Sequence, residues 1–189
     1  MGGLGPSRAS GGLMPAVFLD RDGVLNRATV RNGKPYPPAS LAEFELLPGV
    51  ADAVRALAGA GFRVIVATNQ PDVATGTQRR EVVEAMHQAL RRALPVDDIR
   101  VCWHADSDDC DCRKPKPGLL TAAARDWGID LARSVMVGDR WRDVGAGRAT
   151  GCRTIFVDHG YAEQRPENAD AVVGSLPEAV SLILTEANR

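Results

Sequence analysis

The chain has 189 residues, of which 44% are hydrophobic and 25% charged, with 23 Lys+Arg against 24 Asp+Glu. A chain of this length buries about 70% of its unfolded surface, enough for one core and too little for two ordinary domains. The composition excludes a disordered chain, a collagen-like repeat and a coiled coil. Balanced charge argues against a nucleic-acid partner. No apolar run approaches the roughly 18 residues of a membrane span.

Residues 1–14 open with Met1 to Gly12 (MGGLGPSRASGG), which is Gly/Ser-rich and has no apolar period. The stretch lacks the long apolar segment of a secretory signal. It reads as a disordered arm, or as an artificial leader ahead of a start near Met14. The folded domain is expected over 15–189. Ala16–Leu19 (AVFL) reads as a short buried strand, and the polar, Pro-rich stretch Asn26–Glu43 as a loop. Gly49–Ala60 has helical apolar spacing after Pro48 and is closed by Gly59 and Gly61. Arg63–Ala67 (RVIVA) is a second strand. Thr77–Leu94 is a helix with Arg80, Glu81 and Glu84 outward and Val82, Val83, Met86 and Leu90 inward. Ile99–Trp103 is a third strand, and Pro117–Trp127 a helix closed by Gly128. Ser134–Val137 is a fourth strand, Asp143–Thr150 a short helix, and Arg153–Val157 a fifth strand. Ala171–Val173 is a sixth strand and Leu176–Glu186 a final helix.

This alternation implies one doubly wound, Rossmann-like α/β domain, a mostly parallel sheet with helices on both faces. Ligands of such sheets bind beyond the carboxyl ends of the strands. The polar residues that follow the strands are therefore the candidate site. They are Asp20 and Asp22, then Thr68, Asn69 and Gln70, then a Cys/His cluster, then Gly138-Asp139.

Asp20 and Asp22 stand two residues apart, and Asp139 adds a carboxylate from another strand. Near carboxylates repel strongly in a low-dielectric pocket. A divalent cation relieves that repulsion, and the oxygen-rich set Asp20, Asp22 and Asp139 suits Mg²⁺. Asp20-x-Asp22-Gly23-Val24, Thr68-Asn69, Lys114-Pro115 and Gly138-Asp139-x-x-x-Asp143 follow one another in the chain. Together they resemble the four motifs of the haloacid dehalogenase superfamily of phosphatases, over Ala16 to about Leu184. The resemblance implies that Asp20 is the nucleophile and forms an aspartyl-phosphate. It implies that Asp22 protonates the leaving alcohol and then activates water. The Asp20 carboxylate, the Asp22 backbone carbonyl and Asp139 would hold Mg²⁺, and Thr68 and Lys114 would contact the phosphoryl group. Asp143 is expected to support the metal or Lys114, or to cap the helix that follows it; the two roles are compatible.

Cys102-x-His104-x₅-Cys110-x-Cys112 offers three thiolates and one imidazole, the ligand set of a closed tetrahedral Zn²⁺ site. Thiols this close point to a metal and a reducing, cytoplasmic setting rather than to a disulfide framework. Cys152, beside a strand start, is expected to be a small buried residue. The loop runs straight into Asp111-Cys112-Arg113-Lys114-Pro115. This resembles the branch of the superfamily that contains the D-glycero-D-manno-heptose 1,7-bisphosphate and histidinol-phosphate phosphatases. That resemblance implies a structural zinc, no large cap, and a pocket closed by Asn26–Glu43, Gln70–Gly76 and the zinc loop.

Lys114 to Leu120 follows the heptose pattern, and Arg113 and Arg140 are placed to engage a second phosphate. With Arg31, Asn69 and Gln70 they form the candidate substrate-binding set. The expected activity is removal of the 7-phosphate of a heptose 1,7-bisphosphate in nucleotide-heptose biosynthesis, by a monomer acting on a small phosphorylated sugar. Histidinol phosphate is the alternative, because the His104–Cys110 spacing fits both branches. Trp103 stands in place of the usual Pro, Pro71-Asp72 in place of Ser-Gly, and Thr75 in place of Arg. Arg27–Arg31 lacks the branch's His-Gly-Tyr. These departures leave substrate and anomer open. His159-Gly160-Tyr161 is expected on a loop at the site rim.

Three rival readings carry less weight. A nucleic-acid 3′-phosphatase needs a basic groove with stacking aromatics, which 5% aromatic residues do not favour. Trp103 and Trp141 are instead expected to pack around the zinc loop and the sheet edge. A binding module with a dead site would lack a catalytic acid, and a mutase would need a drier pocket than an uncapped site provides.

Overall fold

The structure is a computed structural model and describes residues 12–187. The expectation of a disordered arm falls mainly on residues 1–11, outside the described residues. Met14 already pairs with the body of the protein. Its N–H donates to the Gly128 carbonyl at 3.0 Å, and its carbonyl accepts from Asp130 N–H at 2.9 Å.

The elements run β1 (Ala16–Leu19), β2 (Thr29–Arg31), β3 (Lys34–Tyr36), α1 (Val50–Gly59), β4 (Arg63–Asn69), α2 (Pro71–Ala74) and α3 (Arg80–Ala93). They continue with β5 (Asp98–Cys102), α4 (Gly118–Trp127), β6 (Val135–Gly138), α5 (Trp141–Ala149), β7 (Arg153–Val157), β8 (Ala171–Val173) and α6 (Leu176–Ala187). Six strands form one sheet in the order β5-β4-β1-β6-β7-β8, and each neighbouring pair is parallel. The chain leaves β1 for β4 and β5 on one side, then returns to β6, β7 and β8 on the other. The order reverses beside β1, so the crevice for a ligand opens at the carboxyl end of that strand.

Both faces of the sheet are covered, which is why its central strands are apolar without alternation. Val17 and Leu19 of β1, Val64 and Val66 of β4, and Val135 and Val137 of β6 pack in one core with α1 and α6. Phe18, Ile65 and Met136, from the same strands, point into a second core with Leu119, Leu120 and Ala146 of α4 and α5.

Differences from expectation have local causes. Asn26–Glu43 is not all loop, because β2 and β3 form an antiparallel hairpin. Its turn residues, Asn32 and Gly33, both have positive φ, 51° and 74°. That is the Asn-Gly turn whose twist matches two antiparallel strands. β4 runs two residues further, because Thr68 and Asn69 pair with Val101 and Cys102. α5 starts at Trp141, where Asp143 Oδ2 accepts the Arg140 N–H at 3.0 Å and caps the first turn. On α3, Val82 is only half-buried and His87 takes an inward place.

Phe18 is fully buried between β1 and the second core. Phe18→Ala is expected to destabilise the fold by about 3–5 kcal/mol, measured by urea unfolding. A loss under about 1 kcal/mol would contradict this account of the core.

Candidate active site

Asp20 directly follows β1, β4 ends at Thr68 and Asn69, and β6 ends at Gly138, followed by Asp139. Strand packing therefore gathers residues far apart in sequence. Lys114, 2% exposed, reaches among them. Its Nζ donates to Asp20 Oδ1 at 2.9 Å and to the Ala67 carbonyl at 2.6 Å, and pairs with Asp143 Oδ1 at 2.5 Å. Burial works against its charge, but Asp143 and Asp20 hold the ammonium above its ordinary pKa. Asn69 clamps the backbone of the same residue. Its Oδ1 accepts the Lys114 N–H at 3.1 Å, and its Nδ2 donates to the Lys114 carbonyl at 3.0 Å.

Asp20, Asp139 and Asp143 bring carboxylate oxygens within 4.8 Å of one another. Burial pushes Asp20 up to about 6, against the pull of Lys114. Burial and the neighbouring Asp20 raise Asp139 well above the usual carboxylate range. Both Asp139 oxygens are buried without a well-formed hydrogen bond among the described residues, although the Tyr161 hydroxyl stands beside the carboxylate. Three carboxylates against one ammonium, with two orphaned oxygens, form a donor set that fits a hard divalent cation. Gly23 and Gly138 make this close approach possible. A Cβ on Gly23 (φ +85°) would lie 1.9 Å from Asp139 Oδ2, and one on Gly138 would lie 2.1 Å from the Asp143 Cβ. His159 Nε2 sits 2.7 Å from the Gly23 carbonyl oxygen.

Asp22 faces another way. Arg21, fully buried, lies side-on to it, with Nε donating to Oδ1 at 3.2 Å and Nη2 to Oδ2 at 2.8 Å. Asn26 Nδ2 donates to Oδ1 and Gln70 Nε2 to Oδ2, each at 2.9 Å. Gln70 also donates to Thr68 Oγ1 at 2.9 Å. Burial opposes ionisation of Asp22, but the Arg21 guanidinium and these hydrogen bonds hold its carboxyl below the ordinary range.

Cys102, His104, Cys110 and Cys112 converge at the end of β5. The Cys102–Cys110 and Cys110–Cys112 sulfurs are 3.7 and 3.5 Å apart. His104 Nδ1 lies 3.6 Å from Cys102 Sγ and 3.3 Å from Cys112 Sγ. Ligands about 2.3 Å (S) and 2.05 Å (N) from a tetrahedral Zn²⁺ are about 3.5–3.8 Å apart, so these atoms sit near the corners the ion requires. Burial and the neighbouring thiols push Cys112 up to about 12.

A cavity of about 350 Å³ is lined by Asp20, Asp22, Thr68, Asn69, Gln70 and Lys114. Lys34, Tyr36, Arg113, Arg140 and Arg142 also line it. Arg113 Nε and Arg142 Nη1 share Asp106 Oδ1 at 2.5 and 2.9 Å. Hydrogen bonds from these arginines, Arg113 first, hold Asp106 down at about 2. Arg140 Nη2 donates to Glu163 Oε1 at 2.7 Å.

Comparison with known proteins agrees with this geometry. A family model described as HAD-hydrolase-like matches residues 111–179. A D-glycero-beta-D-manno-heptose-1,7-bisphosphate 7-phosphatase from Pseudomonas putida is 38% identical over 82% of this chain and 88% of its own. The Escherichia coli K12 protein of the same name is 36% identical over 88% of this chain and 94% of its own. The chain belongs to this heptose-bisphosphate phosphatase family of HAD-like hydrolases. A solved D,D-heptose 1,7-bisphosphate phosphatase from B. bronchiseptica, complexed with magnesium and phosphate, superposes with a TM-score of 0.79 at 33% identity. It covers 92% of this chain and 99% of its own.

Within this family frame, the structure corrects one expectation, the place of Arg31 in the substrate-binding set. The Asp22 carboxylate turns to Arg21, Asn26 and Gln70, which leaves for a cation only its backbone carbonyl, the atom the family resemblance implies, and Asp143, expected to support the metal or Lys114, joins Asp20 and Asp139. Arg31 is exposed on β2, lies over the Tyr36 ring at 5.8 Å and does not line the cavity, where Lys34 stands. Sequence reading missed Arg21 because it lies between the two acids, and Asp106 and Arg142 because their pairing spans 36 residues. Trp103 and Trp141 do not line the cavity. Trp103 packs under Arg80 at 4.7 Å, and Trp141 beside Arg142 at 5.0 Å. Among the described residues, no helix is long and apolar enough to cross a membrane.

His87 accepts from Arg21 Nη1 at 3.1 Å, and burial, reinforced by that cation, pushes it down to about 3. In the unfolded chain it takes up a proton near pH 6.5, so the protein loses stability as pH falls below that value. The urea midpoint is expected to drop between about pH 7 and 5, and to drop less in His87→Gln. Equal slopes would contradict a buried neutral imidazole.

Proposed function

We propose that this protein is a phosphoric monoester hydrolase that removes the 7-phosphate of D-glycero-D-manno-heptose 1,7-bisphosphate through an aspartyl-phosphate on Asp20. The observation that carries the reading is the Asp20 carboxylate at the topological switch point, held at 2.9 Å by a buried lysine beside the orphaned Asp139. The relatives' activity on a sugar bisphosphate supports the substrate. So does a cavity rich in cations. Besides Lys114, which holds Asp20, it is lined by Lys34, Arg113, Arg140 and Arg142, which suit a second phosphate.

Asp20 attacks phosphorus as the bond to the sugar oxygen breaks, and the alcohol leaves with a proton from Asp22. In the second half Asp22, ionised, takes a proton from water as the water oxygen bonds to phosphorus and Asp20 is released. The donor hydrogen bonds on Asp22 support this second role most directly, because they favour the ionised form. Thr68 and Lys114 bind phosphoryl oxygens. Gln70 orients Thr68 and Asp22 together, and Asn69 places Lys114. Asp20, Asp139 and Asp143, with the Asp22 backbone carbonyl, would hold Mg²⁺, which neutralises charge on the phosphoryl group when bound. Cys102, His104, Cys110 and Cys112 would hold a structural Zn²⁺, and the near-tetrahedral spacing of their donor atoms supports that. We place the protein in the cytoplasm, where clustered thiols stay reduced, acting as a monomer whose cavity one chain completes.

The test is phosphate release with Mg²⁺ from the α- and β-anomers of heptose 1,7-bisphosphate and from histidinol phosphate. A kcat/KM at least about tenfold higher for one heptose anomer, a difference of about 1.4 kcal/mol, is expected. A preference for histidinol phosphate, or equal turnover of all three, overturns the substrate. Asp20→Asn is expected to abolish turnover while leaving the melting temperature within a few degrees; retained activity would remove the nucleophile. Zinc chelation, verified by metal analysis, is expected to lower the melting temperature and the activity together. If neither changes, the loop needs no metal.

A further inference from the structure

His87 lies on α3, outside every motif that identifies the family, and it is 8% exposed. Its Nε2 accepts from Arg21 Nη1 at 3.1 Å. Arg21 directs its other hydrogen bonds at Asp22, from Nε and from Nη2 to both carboxylate oxygens. The guanidinium is planar and fully buried, so the partner at Nη1 sets the plane in which Nε and Nη2 meet Asp22. Among the described residues, His87 is the only side chain besides Asp22 that hydrogen-bonds the Arg21 guanidinium. Trp103, next to the zinc-ligand positions, backs the imidazole with its ring 6.2 Å away.

We infer that His87 is a positioning residue for hydrolysis of the phosphoenzyme: through Arg21 it holds Asp22 where it can activate water. This rests on the reading of Asp22 as the general base. If His87 is lost, Arg21 Nη1 has no side-chain acceptor among the described residues, and the guanidinium is held only by Asp22, the group it positions. Asp22 then loses the Arg21 side of its alignment, while Asp20 and Lys114, whose hydrogen bonds run to each other, to Ala67 and to Asp143, keep theirs.

The consequence is a split between the two chemical steps. 4-Nitrophenyl phosphate has a leaving group that needs no proton, so its kcat/KM reports attack by Asp20 alone, whereas its kcat includes release of phosphate from Asp20. In His87→Leu, kcat for this substrate is expected to fall about tenfold, as for loss of alignment of a catalytic group. kcat/KM is expected to stay within about twofold, with KM falling in parallel. A burst of nitrophenolate, stoichiometric with enzyme, should precede the slow steady state. His87→Gln, whose amide oxygen can accept from Arg21, should restore kcat and remove the burst. If His87→Leu does not fold, His87→Asn, whose amide is too short to reach Arg21, takes its place with the same expected split.

A purely structural role for His87 would lower kcat/KM and kcat together, and that result overturns the inference, as does an unchanged kcat. Asp22→Asn separates the two layers. If it shows the burst and His87→Leu does not, the positioning role fails and the base stands. If Asp22→Asn shows no burst, the reading of Asp22 fails.

Discussion

The structure depends most on the burial of the Lys114 ammonium. It touches Asp20 at the end of β1, the Ala67 carbonyl in β4, and Asp143 in α5. One side chain thus joins the three segments that meet where the sheet reverses its order. A charge this deeply buried is tolerated only when its partners are charged and well placed. Its position is therefore fixed from both ends, by the carboxylates at Nζ and by Asn69 on its backbone. The Asp20 carboxylate is held in turn by the same ammonium at 2.9 Å.

Around that contact, the acids divide into two groups with opposite electrostatics. Asp20, Asp139 and Asp143 share a crowded space with one cation, and burial raises Asp20 and Asp139. Asp22, two residues from Asp20, is surrounded by donors from Arg21, Asn26 and Gln70 and is lowered. Neighbouring carboxylates thus come to differ in their tendency to ionise through their surroundings alone. The arginines of the cavity repeat the pattern in milder form. Asp106 and Glu163 hold Arg113, Arg142 and Arg140 in place before any substrate phosphate is present.

The Cys/His loop carries Asp106 and leads directly into Arg113 and Lys114, all three on the cavity wall. Cys112 immediately precedes Arg113 and Lys114, so fixing the sulfur fixes the start of the segment that carries both cations. Asp106, which pairs with Arg113 and Arg142, lies in the same loop between His104 and Cys110. The hairpin β2–β3 meets it across the cavity. Ala162 N–H donates to the Gly33 carbonyl at 2.8 Å, tying the hairpin to the segment that presents Glu163. These loops line the cavity together with the strand ends.

The sequence by itself determined the sheet strands, because AVFL, RVIVA and their partners are apolar on both faces and only a doubly covered parallel sheet buries them. It placed Asp20, Thr68, Lys114 and Asp139 at strand ends or in family motifs, and it grouped four zinc-type ligands by spacing alone. The stretch Asn26–Glu43 reads as a loop, and its hairpin goes unread although the Asn32-Gly33 pair is the local signal that could have found it. Tertiary structure alone decided which carboxylate faces which partner. Asp22 turns to Arg21 with Gln70, 48 residues away, as a further donor, and of the roles the family resemblance left open for Asp143 the packing of α5 brings it to Lys114. His87 looks in the sequence like one more inward residue on an amphipathic helix; only packing of α3 against the β1 turn brings its ring to a buried guanidinium. Hydrophobic periodicity is local and can be read along the chain, whereas the pairing of buried charges depends on distances that exist only once the chain has folded.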